Sequence, residues 1–219
     1  MVDSIQWMRN MTKVKICGIT NRIEVGYLNE YIPDYAGFVF AKSRRQVTPE
    51  QAAELGFGLA PVIKRVGVFV DHEVQIVANI AQKAGLDVVQ LHGDESGGYI
   101  EVLRTLLMPK TEIWKGFRLG AGHKPQPDLL YSRDIDRLLL DTYVEGNQGG
   151  TGICFDWRLV SQLDTALPVV LAGGLNQGNV REAIEQASPF AVDISSGVES
   201  EGIKDDRKLK AFIDVVRGG

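Results

Sequence analysis

The sequence predicts a single-domain (β/α)8 barrel, an α/β fold in which eight parallel strands alternate with eight helices. Short runs rich in β-branched residues alternate with amphipathic stretches along the chain, eight such units follow one another, and no Pro- or Ser-rich linker separates them. The length of 219 residues suits one domain of this kind. An open, doubly wound sheet is the alternative, because alternation alone does not show that the sheet closes.

The predicted elements follow in order along the chain. Strands begin near Lys13, Tyr35, Lys64, Asp87, Glu112, Arg137, Pro168 and Phe190. Helices are predicted at 22–29, 49–55, 73–83, 99–107, 128–132, 157–163, 177–187 and 206–216. Two starts are marked by capping residues: Thr48 is followed by Pro49 at the first helical position, and Asn176 is a predicted N-cap for the helix after it. We expect residues 1–12 to form a poorly ordered extension and residues 13–219 to form the barrel.

Composition and charge exclude several classes of protein. With 44% apolar and 24% charged residues, the chain is neither disordered nor collagen-like. A formal net charge of -4 gives no field that would attract nucleic acid. Two cysteines are too few for a disulfide framework and favour a cytoplasmic location. The apolar stretches are too short to span a membrane, and the first ten residues do not resemble a secretory signal. We expect a monomer rather than a dimer.

The barrel fold indicates where a site would lie before any motif is considered. Active sites of this fold lie at the C-terminal ends of the strands. The residues that finish the predicted strands are mostly polar or glycine: Cys17, the segment 42–45 after Phe40, Asp71, His92, Asp141, Gly173 with Gly174, and the segment 193–197. A merely structural rim would not need this polarity.

Two small-residue turns predict a phosphate site. Gly173 and Gly174 follow the seventh strand, and Ser195, Ser196 and Gly197 follow the eighth, where this fold usually binds phosphate. Their backbone N–H groups can approach an anion closely. The alternative is that these residues only form tight turns. A phosphate-bearing ligand is therefore predicted.

Asp141 ends the sixth strand at the close of an apolar run. Partial burial there is expected to raise the pKa of the carboxyl group, which suits a general acid, whereas the alternative is a carboxylate that caps a loop. A third glycine cluster, residues 149–152, follows it and is either a cover over the ligand or a flexible linker.

Cys17 ends the first strand, and side-chain alternation places Lys15 on the same inner face one pleat below it. Val14 and Ile16 then face the helices. A buried ammonium nearby would favour the thiolate and make Cys17 a base or nucleophile. The alternative is an inert core cysteine. Cys154 is assigned no role.

The basic residues that follow the second strand form a possible anion clamp. Arg44 and Arg45 lie at the rim, where one guanidinium could bind a carboxylate or phosphate through two hydrogen bonds, and we expect at most one of the two to turn inward. Among the three histidines only His92 ends a strand, so no metal site is indicated. His92 and Asp193 are predicted substrate contacts, and the alternative is that they only line the pocket.

Taken together, these motifs resemble the phosphoribosylanthranilate isomerases of tryptophan biosynthesis. The resemblance runs from Lys13 to the C-terminus. It is carried by VKICGIT at 14–20, GFVF at 37–40, SRR at 43–45, PE at 49–50, QLHG at 90–93, LDT at 140–142, GGTG at 149–152, FDW at 155–157, GGL at 173–175 and DISSGVE at 193–199. Many relatives carry Lys after the third glycine cluster, where this chain has Ile153, so closure of that loop could differ.

The resemblance implies a cofactor-free Amadori rearrangement of N-(5-phosphoribosyl)anthranilate to 1-(2-carboxyphenylamino)-1-deoxyribulose 5-phosphate. It implies that Asp141 is the general acid that opens the ring, that Cys17 is the general base at C2, and that Arg45 holds the anthranilate carboxylate. The glycine turns after strands seven and eight would hold the phosphate. No metal or organic cofactor is expected.

Two rival hypotheses remain open at this point. The related isomerase of histidine biosynthesis pairs two aspartates, and Cys17 speaks against that chemistry. A catalytically silent barrel would bind a sugar phosphate or a partner enzyme without reaction, since fold alone does not imply function. The presence of both Cys17 and Asp141 argues against silence.

Overall fold

In a computed structural model of the chain, the structure describes residues 12–118, 127–130, 132–141, 157–161 and 163–218. Eight parallel strands form the barrel: β1 Lys13–Cys17, β2 Tyr35–Val39, β3 Lys64–Phe69, β4 Val88–Leu91, β5 Glu112–Arg118, β6 Arg137–Asp141, β7 Val169–Ala172 and β8 Ala191–Ile194. The helices are α1 Arg22–Tyr31, α2 Pro49–Phe57, α3 Val74–Ala84, α4 Gly97–Leu106, α5 Pro127–Leu130, α6 Arg158–Ser161, α7 Val180–Ala187 and α8 Asp206–Arg217.

The sheet closes on itself, as the sequence predicts. Strand β1 pairs in parallel with β2 on one side and with β8 on the other, and every intermediate strand pairs with its neighbours in chain order. Each predicted strand begins within one residue of its observed start. The (β/α)8 barrel is confirmed, and the open-sheet alternative is wrong.

Side-chain alternation along the strands creates two cores. An inner core fills the barrel with Tyr35, Val66, Val88, Trp114, Leu139, Val170, Ala172 and Ala191. An outer core packs the opposite strand faces, including Val14 and Ile16 of β1, against the helices. Near the bottom of the barrel the rings of Tyr35 and Trp114 meet edge to face, with centroids 4.9 Å apart. The barrel is therefore filled below, and its polar side chains lie towards the C-terminal mouth.

The predicted helix caps differ in outcome. Thr48 forms a capping box: its side chain accepts the N–H of Gln51, while the Gln51 side chain accepts the N–H of Thr48. The prediction for Asn176 is wrong, because α7 begins only at Val180 with Asn179 at the N-cap. Asn176 instead accepts the N–H of Gly178 in a local turn, which competes with helix initiation.

A short antiparallel hairpin follows β8. Its strands are β9 Glu199–Ser200 and β10 Ile203–Lys204, and its two-residue turn, Glu201 and Gly202, has φ angles of 52° and 85°. Two consecutive positive φ angles are typical of a tight hairpin turn, in which glycine is favoured. The register places Lys204 opposite Glu199.

Several predictions fall on segments outside the described residues: the order of the N-terminal extension, the glycine cluster at 149–152, and the positions of Ile153 and Cys154. Within the described ranges, no helix is long and apolar enough to cross a membrane.

Candidate active site

Cys17 and Lys15 lie on the inner face of β1, as alternation predicts. Lys15 is 0% exposed and Cys17 is partly exposed at the mouth. Gly37 on the neighbouring strand makes room for both: a Cβ atom there would lie 2.9 Å from the Cys17 Sγ and 3.3 Å from the Lys15 Nζ. Gly37 is thus a site residue to which the sequence alone gave no role, because its importance depends on pairing between β1 and β2.

The expected thiolate is not the resting form of Cys17. Burial raises the pKa of the thiol, and the nearby Lys15 ammonium, which would lower it, does not outweigh that effect. The Asp193 carboxylate also raises the thiol pKa, because it repels the thiolate. The sequence-based expectation that Lys15 favours the thiolate therefore needs correction: the free protein holds Cys17 as a thiol at neutral pH.

Lys15 and Asp193 form a buried ion pair below Cys17. The Lys15 Nζ donates to the Asp193 Oδ2 over 2.8 Å, and the Asp193 side chain is 9% exposed. Burial alone would lower the pKa of Lys15, but Asp193 and Cys17 outweigh it and raise that pKa, so the lysine stays charged. Within the described residues, the second oxygen of Asp193, Oδ1, is buried without a hydrogen-bond partner. An unpaired carboxylate oxygen in this position is suited to accept a ligand hydroxyl.

Asp141 ends β6 on the inner face, two residues beyond the inner-core residue Leu139. One of its carboxylate oxygens lies 3.5 Å from the Nε2 of His92, which follows β4. The other ring nitrogen of His92, Nδ1, lies 3.0 Å from the Gln90 Nε2. The predicted residues His92 and Asp141 therefore lie in one row of polar side chains with Gln90, for which no role was predicted.

The two predicted anion turns meet at the barrel mouth. Gly173 and Gly174 have φ angles of 92° and 64°, which favour glycine. Gly197 lies so close to the Leu175 carbonyl that any Cβ atom would overlap it. The Ser195 hydroxyl donates to the Cys17 carbonyl over 2.9 Å, so this donor points to β1 and is not available to a phosphate. Ser196 begins the 3-10 turn Ser196–Val198 that follows.

Arg45 is held by Glu199, for which the sequence pattern predicts no role. Its Nε and Nη2 donate to Oε1 and Oε2 of Glu199 over 2.7 and 2.8 Å. Arg44 reaches the same carboxylate over 2.6 Å, but its side chain is 58% exposed against 20% for Arg45, so only Arg45 turns inward, as expected. Glu199 occurs in the DISSGVE motif, but its two arginine partners lie more than 150 residues away in the chain and could not be identified by spacing.

Within the described ranges, no group of three His, Cys, Asp or Glu side chains is arranged to hold a metal ion. His123 and the segment 142–156 lie outside those ranges.

Comparisons with known proteins identify the family of the chain. The model of the N-(5'-phosphoribosyl)anthranilate isomerase family matches residues 14–215. The isomerase of Acetivibrio thermocellus is 46% identical over 212 residues, which cover 94% of this chain and 96% of the relative.

Two solved structures are similar along nearly the whole chain. A phosphoribosylanthranilate isomerase in complex with reduced 1-(o-carboxyphenylamino)-1-deoxyribulose 5-phosphate is 35% identical with a TM-score of 0.77, covering 95% of this chain and all of that one. Monomers of the dimeric isomerase of Thermotoga maritima are 37% identical with a TM-score of 0.78 and the same coverage. The chain therefore belongs to the N-(5'-phosphoribosyl)anthranilate isomerase family.

Proposed function

We propose that this chain isomerises N-(5'-phosphoribosyl)anthranilate to 1-(2-carboxyphenylamino)-1-deoxyribulose 5-phosphate in tryptophan biosynthesis, with Asp141 as general acid and Cys17 as general base. One observation carries the assignment of residues. The thiol of β1 and the carboxyl of β6 both end inward-facing columns at the mouth of one closed barrel, beside the two glycine turns. With this arrangement, an acid and a base at the same barrel mouth can act on one bound sugar phosphate.

The first step opens the ring. Asp141 gives its proton to the furanose ring oxygen, the bond between that oxygen and C1 breaks, and the anilino nitrogen lone pair forms a C1=N iminium. His92, which lies beside the Asp141 carboxylate, stabilises the negative charge that this transfer leaves behind. The product of the step is an open-chain Schiff base.

The second step moves a proton from C2. Cys17 rests as a thiol, so its minor thiolate form takes this proton. The C–H electron pair becomes the C1=C2 double bond, and the iminium π pair returns to nitrogen. The enolamine then loses its C2 hydroxyl proton and gains one at C1, which gives the ketone without any net change in atoms or electrons. The iminium is the electron sink, so these two side chains suffice for the proton transfers.

The remaining predicted residues would bind the two ends of the substrate. Backbone N–H groups of Gly173, Gly174, Ser196 and Gly197 are suited to the phosphate, with Ser195 contributing its main chain because its hydroxyl is bonded elsewhere. The buried Oδ1 of Asp193 is suited to accept a ribose hydroxyl. Arg45 is suited to the anthranilate carboxylate.

The reaction is tested by mixing the purified protein with N-(5'-phosphoribosyl)anthranilate and following the loss of anthranilate-type fluorescence. We expect catalytic loss of the signal and a product of unchanged mass that carries a ketone in its 13C NMR spectrum. The Cys17→Ser, Asp141→Asn double variant is the matched control. An unchanged signal with wild-type protein would favour a catalytically silent barrel.

We also infer that the protein is a monomer, since all the predicted site residues come from one barrel mouth of one chain. Its cytoplasmic location remains a prediction from the cysteine content. Size-exclusion chromatography with light scattering should give a mass near 24.1 kDa. A mass twice as large would show that this chain shares the dimeric state described for the Thermotoga maritima relative.

A further inference from the structure

Glu199 is the centre of a buried charge cluster beside the proposed site. Its side chain is 4% exposed. Oε1 accepts from the Arg45 Nε and the Lys204 Nζ, both over 2.7 Å, and Oε2 accepts from the Nη2 atoms of Arg45 and Arg44 over 2.8 and 2.6 Å. Each carboxylate oxygen therefore has two charged donors. A group bonded in this way is rigidly oriented.

The hairpin β9–β10 presents Glu199 together with its counter-ion. Lys204 is the register partner of Glu199, and its side chain is 0% exposed. Its Nζ also donates to the Ser195 carbonyl over 3.1 Å and lies 3.3 Å from the Ser195 hydroxyl. Through Lys204, the carboxylate is thus fixed to the turn that is proposed to bind phosphate.

The geometry of Arg45 leaves one edge of its guanidinium for a ligand. A guanidinium has two edges that can each bind a carboxylate through two hydrogen bonds. Glu199 occupies the Nε–Nη2 edge, and among the described residues no acceptor is bonded to Nη1. The stem of Arg45 crosses Gly18, where any Cβ atom would overlap the Arg45 Cδ. Arg45 is thereby held against the loop that follows Cys17.

The charges in this cluster do not cancel. Three cationic side chains bind the Glu199 carboxylate, and the buried Glu24 carboxylate accepts the Lys204 backbone N–H over 3.1 Å. Three positive charges against these two carboxylates leave a local excess of positive charge in a protein whose formal net charge is -4. Burial would raise the pKa of Glu199, but hydrogen bonds from Arg45 and Lys204 outweigh it and lower that pKa to about 2. The carboxylate therefore stays ionised, and the excess charge can attract a second, external carboxylate.

We propose that Glu199 is a positioning residue that holds Arg45 by one edge, so that the other edge receives the carboxylate of the anthranilate group. Lys204 fixes this support to the turn Ser195–Gly197. This inference rests on the proposed function for the identity of the ligand. Recognition of the aromatic end of the substrate then depends on the carboxylate of Glu199, which does not itself touch the substrate.

Anthranilate and inorganic phosphate are the probes, because each represents one end of the substrate. Dissociation constants for both are measured by titration calorimetry on the full-length wild type, Glu199→Gln, Arg45→Ala and the double variant. Glu54→Gln is the matched control, because it removes an arginine-bound glutamate on the exposed surface, where Glu54 pairs with Arg22. Circular dichroism checks that each variant is folded.

We expect Glu199→Gln to weaken anthranilate binding at least fivefold, to change phosphate binding less than twofold, and to add nothing to the loss caused by Arg45→Ala. Glu54→Gln should leave both constants unchanged. Unchanged anthranilate binding in Glu199→Gln, or losses that add in the double variant, would overturn the inference while leaving Arg45 as the clamp. If Arg45→Ala itself has no effect, the assignment of Arg45 in the proposed function is wrong.

A second variant keeps Glu199 intact and guards against misfolding of Glu199→Gln. In Arg45→Lys the single ammonium is bonded by Glu199, and no second edge remains for the ligand. We therefore expect Arg45→Lys to bind anthranilate as weakly as Arg45→Ala, although its charge is preserved. If Arg45→Lys retains wild-type affinity, positive charge alone suffices and the positioning role of Glu199 is refuted.

Discussion

The Nε2 of His92 lies 3.5 Å from a carboxylate oxygen of Asp141. Because the Gln90 Nε2 faces the other ring nitrogen over 3.0 Å, that nitrogen accepts, and the proton of a neutral ring is placed on Nε2. His92 therefore presents an N–H to Asp141. This fixed tautomer stabilises the carboxylate that ring opening would leave.

The role of Gln90 is tested by Gln90→Leu, which removes the group that sets the tautomer of His92. Loss of one hydrogen bond of about 1 kcal/mol predicts a decrease in kcat of about fivefold with KM unchanged. Steady-state fluorescence assays measure both constants. A rise in KM without a change in kcat would show that Gln90 contributes to binding and not to the state of Asp141.

Asp141→Asn preserves the shape of the side chain but cannot give the ring oxygen a proton. Removing a general acid predicts a decrease in kcat of about 10²- to 10⁴-fold, while affinity for the product is retained. Single-turnover assays and product titration measure the two effects. If the variant keeps more than a tenth of the wild-type rate, another group must open the ring.

The raised pKa of Cys17 predicts the pH dependence of kcat/KM. The reactive form carries one proton on the pair, held by the Asp141 carboxyl, while Cys17 is a thiolate. Loss of that proton at high pH removes the reactive form, so the rate decreases above the pKa of the thiol, which is raised from its ordinary value of 9.0. A descending limb below pH 8.5 in the wild type would contradict this assignment.

Cys17→Ser provides the matched comparison for that profile. A hydroxyl is a much weaker acid than a thiol, so the descending limb should move out of the accessible pH range. The same change should decrease kcat far more than it weakens binding, because the serine oxygen is rarely ionised. Near-normal kinetics in Cys17→Ser would remove Cys17 from the chemistry.

The buried pair Lys15–Asp193 predicts a large loss of stability when only one partner is removed. Lys15→Met leaves the Asp193 carboxylate buried without its counter-ion, which costs about 3 kcal/mol of unfolding free energy. Urea denaturation measures the difference. Adding Asp193→Asn to Lys15→Met should recover part of the loss. If the double variant is less stable than Lys15→Met, the cost does not come from an uncompensated charge.

Much of the fold and part of the site could be predicted because both depend on local pattern. Alternation along β1 predicts that Lys15 and Cys17 face inward, and the sequence from Thr48 to Gln51 predicts the start of α2, since both are decided by residues close in the chain. The polar strand ends similarly identify His92, Asp141 and their common rim.

The remaining features depend on contacts between distant segments. Glu199 and Arg45 are 154 residues apart in the chain, so the clamp and its support could not be paired by spacing. The pKa of Cys17 depends on whether burial outweighs Lys15, a balance that requires the geometry of β1, β2 and β8. The predicted N-cap at Asn176 is wrong because the side chain of asparagine stabilises a turn as readily as a helix start.

The most direct test of the proposed site is a crystal structure of this protein with reduced 1-(o-carboxyphenylamino)-1-deoxyribulose 5-phosphate. We predict that the phosphate contacts the turns at Gly173–Gly174 and Ser195–Gly197, that the Cys17 sulfur lies within about 4 Å of C2, and that Asp141 faces the sugar from the opposite side. A phosphate bound elsewhere, or a sugar beyond the reach of Cys17 or Asp141, would contradict the mechanism.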